Sequence, residues 1–144
     1  MRERRAIIVV DDEVILLAAL RREIRGAYGG SFLVEAAMGA DEADVVIEEL
    51  FTDGITLFLV ISDWLMPGRR GDEFLAAVKA RHPSVRCILI TGRGDPATIE
   101  AVRARVPLDA ALPKPWDRQA LIEAIDGSLA LFEAERESGR ASAT

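Results

Sequence analysis

Ala6-Ile7-Ile8-Val9-Val10 runs without interruption into Asp11-Asp12-Glu13, and these eight residues decide the fold. Five consecutive apolar residues, four of them β-branched, fit a strand covered on both faces, as parallel strands beneath helices are. A strand that ends on a pair of carboxylates puts negative charge at the carboxyl edge of its sheet. The pattern recurs downstream. Leu57–Ile61 (LFLVI) leads into Ser62-Asp63, and Val85–Ile90 (VRCILI) leads into Thr91. Phe32–Ala36 and Ala110–Leu112 are two weaker strand segments, the second followed by Pro113-Lys114.

Between the strands, apolar residues recur every three or four positions, the period of a helix with one buried face. Val14, Leu17, Ala18, Leu20 and Ile24 mark the first helix. Ala43, Val46, Ile47 and Leu50 mark the second, and Phe74, Leu75 and Val78 the third. Ile99 and Val102 mark the fourth, after Asp95-Pro96, where proline suits a first turn. Leu121, Ile122, Ile125, Leu129 and Phe132 mark the fifth. Strict alternation of strand and helix with right-handed crossovers predicts a flavodoxin-like, doubly wound (βα)5 sandwich with a parallel five-stranded sheet in the order 2-1-3-4-5. Pro113 removes a ladder donor, which places the last strand at an edge. One domain is expected over residues 1–133. The small, polar stretch Glu135–Thr144 is expected to fray, so that residues 134–144 are a tail or the start of a linker.

Composition narrows the function. The 144 residues carry 18 Lys and Arg against 24 Asp and Glu, a net charge of -6, which argues against direct binding of nucleic acid. No apolar stretch approaches the ~20 residues of a membrane helix, and the start MRERRAIIVVDDE breaks where a signal peptide would continue. A cytoplasmic location is expected, without membrane contact. One cysteine, Cys87, and one histidine, His82, exclude an internal disulfide and a His-rich zinc site. Cys87 is expected inside the fourth strand and His82 at the end of the third helix. Any metal must be a hard cation held by oxygen.

In the 2-1-3-4-5 order, ligands bind where the chain reverses direction across the sheet, between strands one and three. Asp11, Asp12 and Asp63 would meet there. Three carboxylates in one cleft repel one another unless a cation or proton compensates, and Mg2+ suits a shell of carboxylate, carbonyl and phosphate oxygens. Asp11, Asp12 and Asp63 supply carboxylates, and the Leu65 carbonyl is a further candidate ligand. Asp63, alone on the central loop, is the candidate nucleophile toward phosphorus. Lys114 offers a flexible point charge and Thr91 a hydroxyl for phosphoryl oxygens. Each residue alone has an ordinary reading: aspartates cap helices and turns, and lysines sit in solvent. Their joint placement on one rim favours chemistry.

Val10-Asp11-Asp12-Glu13, Ser62-Asp63-Trp64-Leu65-Met66-Pro67-Gly68 with Gly71, Leu89-Ile90-Thr91-Gly92 and Lys114-Pro115 together resemble the receiver domain of bacterial two-component response regulators, over about residues 5–133. The resemblance implies a signalling switch. A histidine kinase or histidine phosphotransfer protein would donate a phosphoryl group to Asp63 with Mg2+ present, and the conformation of the domain would then change. It also implies a cis Lys114–Pro115 bond, chemistry that acts on the chain itself rather than as a turnover enzyme, and pairing into a homodimer through the fourth helix, fifth strand and fifth helix. The chain would be a stand-alone receiver or the amino-terminal piece of a longer regulator. Two departures stand out. Receivers usually carry Tyr or Phe three residues before the lysine, where this chain has Ala111, so the signal must leave by another surface. The segment between Asp12 and Asp63 is several residues longer than usual, and the excess is expected in loops around Gly26–Ser31 and Phe51–Thr56.

The remaining candidates have plainer readings. Trp64 and Trp116 flank the cleft and are expected to pack against apolar neighbours. Arg69 and Arg70 are expected to be exposed and solvated, and Arg93 to lie over the mouth of the cleft. Competing functions are a haloacid-dehalogenase-like Mg2+ phosphatase, a flavodoxin-like cofactor carrier and a degenerate receiver that serves only as a binding surface. The first would need an aspartate where Leu65 stands. The second would need donors where Asp11-Asp12-Glu13 repels phosphate.

Overall fold

The computed structural model describes residues 3–92 and 95–143, with side chains through residue 139. Five strands alternate with five helices: β1 (Arg5–Val10), α1 (Val14–Tyr28), β2 (Leu33–Ala37), α2 (Ala40–Thr52), β3 (Thr56–Asp63), α3 (Gly71–Arg81), β4 (Arg86–Thr91), α4 (Pro96–Arg105), β5 (Ala110–Pro113) and α5 (Arg118–Ala143). All pairings are parallel, in the order β2-β1-β3-β4-β5. This is the flavodoxin-like doubly wound arrangement that the alternation predicts, with β5 and its Pro113 at an edge. No helix among the described residues is long and apolar enough to cross a membrane.

The strands alternate their side chains between two apolar layers, one on each face of the sheet. Ile7 and Val9 of β1 join Leu17, Leu20 and Ile24 of α1 and Leu121, Ile125 and Phe132 of α5. Ala6, Ile8 and Val10 join Ala43, Ile47 and Leu50 of α2, Phe74, Leu75 and Val78 of α3, and Val102 of α4. A register shift opposite Ala6/Ile7 breaks the period in β3, so that Phe58 and Leu59 both face the α1/α5 layer. Phe58, fully buried, contributes about 1.5–3 kcal/mol by leaving water.

Three expectations change. The segment read as a fraying tail is helical, because α5 continues to Ala143. Side chains beyond its apolar face hold it. Arg5 reaches Glu133 at 2.7 Å, Arg86 reaches Glu135 at 2.7 Å, and Arg136 reaches Glu3 at 2.7 Å. The guanidinium groups of Arg5 and Arg136 both lie over the Phe132 ring, 5.7 and 5.3 Å from its centre. The extra residues between Asp12 and Asp63 are only partly in loops. Residues 26–28 extend α1 and residues 51–52 extend α2, while the turns after them use Gly29 and Gly54 at φ 60° and 73°. Arg69 and Arg70, finally, are half-buried and ion-paired rather than solvated. Arg69 meets Asp44 at 2.8 Å and Arg70 meets Asp72 at 3.1 Å.

Cys87 lies in β4, 1% exposed, and burial pushes its thiol up to about 11. Only a thiolate attacks a disulfide reagent. The native chain is therefore expected to resist Ellman's reagent and to release one equivalent of chromophore once unfolded in denaturant. Rapid reaction of the native chain would refute the burial of Cys87.

Candidate functional site

Register brings the sequence candidates together. Val10 lies beside Ser62, Asp63 beside Ile90, and Thr91 beside Pro113. Asp11, Asp63, Thr91 and Lys114 therefore leave four neighbouring strands at levels spread over two residues, and adjacent strands lie ~4.8 Å apart. One oxygen from each of Asp11, Asp12 and Asp63 lies within 4.8 Å of the other two. Asp11 and Asp63 are buried, at 2% and 6% exposure, and Asp12 is exposed.

The Lys114 ammonium is the hub. It lies 2.6 Å from Asp11 Oδ2, 3.0 Å from Asp63 Oδ2 and 3.1 Å from Glu13 Oε2. Burial alone would lower its pKa, but hydrogen bonds to Asp11, Asp63 and Glu13 outweigh it, and the ammonium titrates well above its ordinary value. For Asp63 the balance goes the other way. Burial pushes the carboxyl up, Lys114 pulls it down, and the neighbouring Asp11 charge adds to the rise. The protein thus holds a carboxylate in an unfavourable place, compensated by one lysine.

Local backbone aims these groups. The Asp11 N–H donates to Ala37 O at 3.1 Å, and Asp11 Oδ1 accepts from the Glu13 N–H at 2.9 Å. Asp63 Oδ1 accepts from the Trp64 N–H at 2.8 Å. The Lys114 N–H donates to Thr91 O at 3.1 Å, which ties the end of β5 to the end of β4 just before the cis Lys114–Pro115 bond. Thr91 is buried at 1% exposure. The loop after β3 closes through the Gly71 N–H, which donates to Trp64 O at 2.7 Å. A Cβ on Gly71 would stand 1.9 Å from Asp63 O, so only glycine permits this approach.

Glu13 is the third acid on Lys114, and its place in the run Asp11-Asp12-Glu13 is the one signal of this in the sequence. Leu65 is 42% exposed, two residues past Asp63, and Arg93 lies outside the described residues. Ala111 is half-buried beside Leu89. Both tryptophans pack, as expected: Trp64 against the α2–α4 layer, and Trp116 against the α1/α5 layer, where its indole N–H also donates to Glu23.

The donor set consists of oxygens alone, with three carboxylates converging and one cation already between them. This fits a small divalent ion such as Mg2+ and does not fit a metal that prefers sulfur or imidazole.

A family model described as the response regulator receiver domain matches residues 7–126. The hydrogenase transcriptional regulatory protein HoxA of Bradyrhizobium diazoefficiens is 28% identical over 132 residues, 92% of this chain and 25% of that protein. The chain therefore spans about a quarter of that relative's length. The signal receiver domain of an HD domain-containing protein from Pseudomonas fluorescens Pf-5 superimposes with a TM-score of 0.82 at 27% identity, covering 95% of both chains. A CheY-like response regulator receiver domain protein from Methanospirillum hungatei JF-1 gives 0.78 at 25% identity, covering 93% of this chain and 99% of the other.

Proposed function

Because the chain belongs to the response regulator receiver domain family, we propose that Asp63 is its phosphoacceptor and that a histidine kinase or histidine phosphotransfer protein is the donor. The observation that carries the proposal is the Lys114 ammonium, shared between the buried carboxylates of Asp11 and Asp63 at 2.6 and 3.0 Å. A carboxylate oxygen of Asp63 forms a bond to phosphorus as the bond from phosphorus to the donor imidazole breaks, and the imidazole leaves with the electron pair. Lys114 then pairs with a phosphoryl oxygen, and the Thr91 hydroxyl donates to another. Catalysis is mainly positioning and charge compensation. Asp11, Asp12 and Asp63, with the Leu65 carbonyl, would hold Mg2+, which when bound offsets the charge of carboxylates and phosphoryl oxygens.

Four exposed apolar side chains support a protein donor. Val14 (60%), Ile15 (83%), Met38 (46%) and Leu65 (42%) all belong to segments that follow the carboxyl ends of β1, β2 and β3. An apolar surface beside a charged centre is the mark of a docking face. The domain would act as a switch whose state is read by another protein in the cytoplasm.

Intact-mass measurement tests the assignment. Incubation with acetyl phosphate and Mg2+ is expected to add one phosphoryl mass to the wild-type chain and none to Asp63→Asn, and a chelator should suppress the gain. Equal labelling of Asp63→Asn would refute Asp63 as the acceptor.

A further inference from the structure

The seam between α2 and the end of α3 carries a groove that the acidic rim does not use. Its volume is about 330 Å3, with Ile47, Phe51 and Val78 on its walls and Asp44, Glu48 and Arg81 also lining it. Phe51 is 46% exposed, and its ring stacks on His82 at 4.3 Å and 15°. Burial, with help from the Arg81 charge, lowers His82 below its ordinary value, so the stacked pair is uncharged at pH 7.

The α2 half of this surface is acidic, while Arg69 and Arg81 bring two cations to the groove from the other side. The α2 sequence ADEADVVIEELFT holds five acids and no Lys, Arg or His. Arg69 meets Asp41 and Asp44 at 3.8 and 2.8 Å. Glu48, Glu49 and Asp53 have no ion pair among the described residues, and together with the 57% exposed Val45 they line a second shallow surface alongside. They also sit toward the carboxyl end of α2, where the helix dipole is already negative and acids are unfavourable. The free domain thus keeps an exposed aromatic ring beside uncompensated negative charge, and a cationic, apolar-anchored occupant relieves both.

We propose that this α2–α3 surface is the docking site for a basic amphipathic helix of a partner protein, with one apolar anchor beside Phe51, Ile47 and Val78 and lysines or arginines toward Glu48, Glu49 and Asp53. Arg69 lies on the loop that starts at Asp63, so the occupant sits one ion pair away from the acidic rim. With Ala111 in place of an aromatic ring, this gives a readout surface that needs no such ring. The assignment stands on surface chemistry and does not depend on Asp63 accepting phosphate.

The test uses the full chain and a fluorescein-labelled helical peptide of leucine, alanine and lysine with its leucines on one face, titrated by fluorescence anisotropy. Saturable binding is expected, weakened about tenfold or more by Phe51→Ala, by Phe51→Gln and by Glu48→Lys with Glu49→Lys. The same charge reversal on α5, Glu123→Lys with Glu137→Lys, is expected to change affinity less than about twofold. A peptide with glutamate in place of lysine should not bind. Circular dichroism and protection of the Cys87 thiol confirm that each variant is folded. Equal weakening by the α5 reversal would mean diffuse attraction to an acidic protein and would overturn the proposal, as would binding indifferent to Phe51. Self-association of the chain, abolished by Phe51→Ala in sedimentation, would also overturn it by making a second copy the occupant.

Discussion

Replacing Asp109 by alanine is expected to cost about 3–5 kcal/mol of folding stability, the usual loss when one member of a buried ion pair is removed. The Asp109 and Arg86 side chains are 8% and 12% exposed. Arg86 Nε donates to Asp109 Oδ2 at 2.9 Å, and the hydroxyl of the fully buried Ser128 donates to the same oxygen at 2.8 Å. One carboxylate therefore joins β4, the segment entering β5, and α5. Without it the guanidinium keeps only Glu135, which is half exposed, and Ser128 loses its acceptor in the interior. A loss of this size is a large part of the 5–15 kcal/mol that typical domains possess, and urea unfolding followed by circular dichroism measures it. Asp109→Leu with Arg86→Leu should cost clearly less than Asp109→Ala, because no charge is then stranded. A single variant with an unchanged midpoint would refute the account.

The pH dependence has a definite sign. Burial raises the Asp109 carboxyl, but hydrogen bonds from Arg86 and Ser128 outweigh it and hold the group below its ordinary value. A depressed folded-state pKa contributes stability that is present above the unfolded value of about 4 and is lost as pH falls through the folded value. Between neutral pH and about pH 5, then, Asp109 contributes a constant amount. Below that range the wild type should lose more stability than Asp109→Asn, and the two curves should converge.

Gly71→Ala is the second large effect. The added methyl carbon would fall 1.9 Å from Asp63 O and 2.9 Å from Asp63 C, both backbone atoms that cannot rotate away. Relief must come from moving α3 away from the end of β3, at about 3 kcal/mol, toward the upper end of what overpacking costs. The displaced atoms belong to Asp63 itself. Phosphoryl labelling by acetyl phosphate is accordingly expected to slow by up to about 100-fold, the penalty of roughly 1 Å of misplacement. Gly127→Ala in α5 is the matched control. Nothing lies within 4 Å of its added carbon, and replacing a helical glycine gains about 0.5–1 kcal/mol. Normal labelling and stability in Gly71→Ala would show that the contact is looser than the geometry states.

The fold was legible because β1, β3 and β4 are uninterrupted apolar runs and because Pro113 marks an edge. The acidic centre was legible because topology alone brings the ends of those strands to one rim. What stayed hidden depends on distant partners. Nothing in ERESGRASAT has an apolar period, so its helicity could not be read; its first two residues are held by Arg86 and Glu3, far away in sequence. Arg69 looks like a loop charge until Asp44 of α2 comes within reach, whereas the partner of Arg70, Asp72, is a near neighbour in sequence. Asp72 reads as an ordinary acid of a first helical turn, yet it is 4% exposed and met by Arg70 and by Arg105 from α4 at 3.6 Å. The requirement for glycine at position 71 comes from a close approach rather than from an unusual φ, so no turn signature announces it.

The two tryptophans fall on opposite sides of the sheet, Trp64 with α2–α4 and Trp116 with α1 and α5. The molecule therefore carries one indole per layer, and its tryptophan emission is the sum of two separately situated signals. With Trp116 changed to phenylalanine, the remaining light comes from the residue next to Asp63. With Trp64 changed, it comes from the opposite layer, so events at the rim can be told apart optically from loosening of the whole chain.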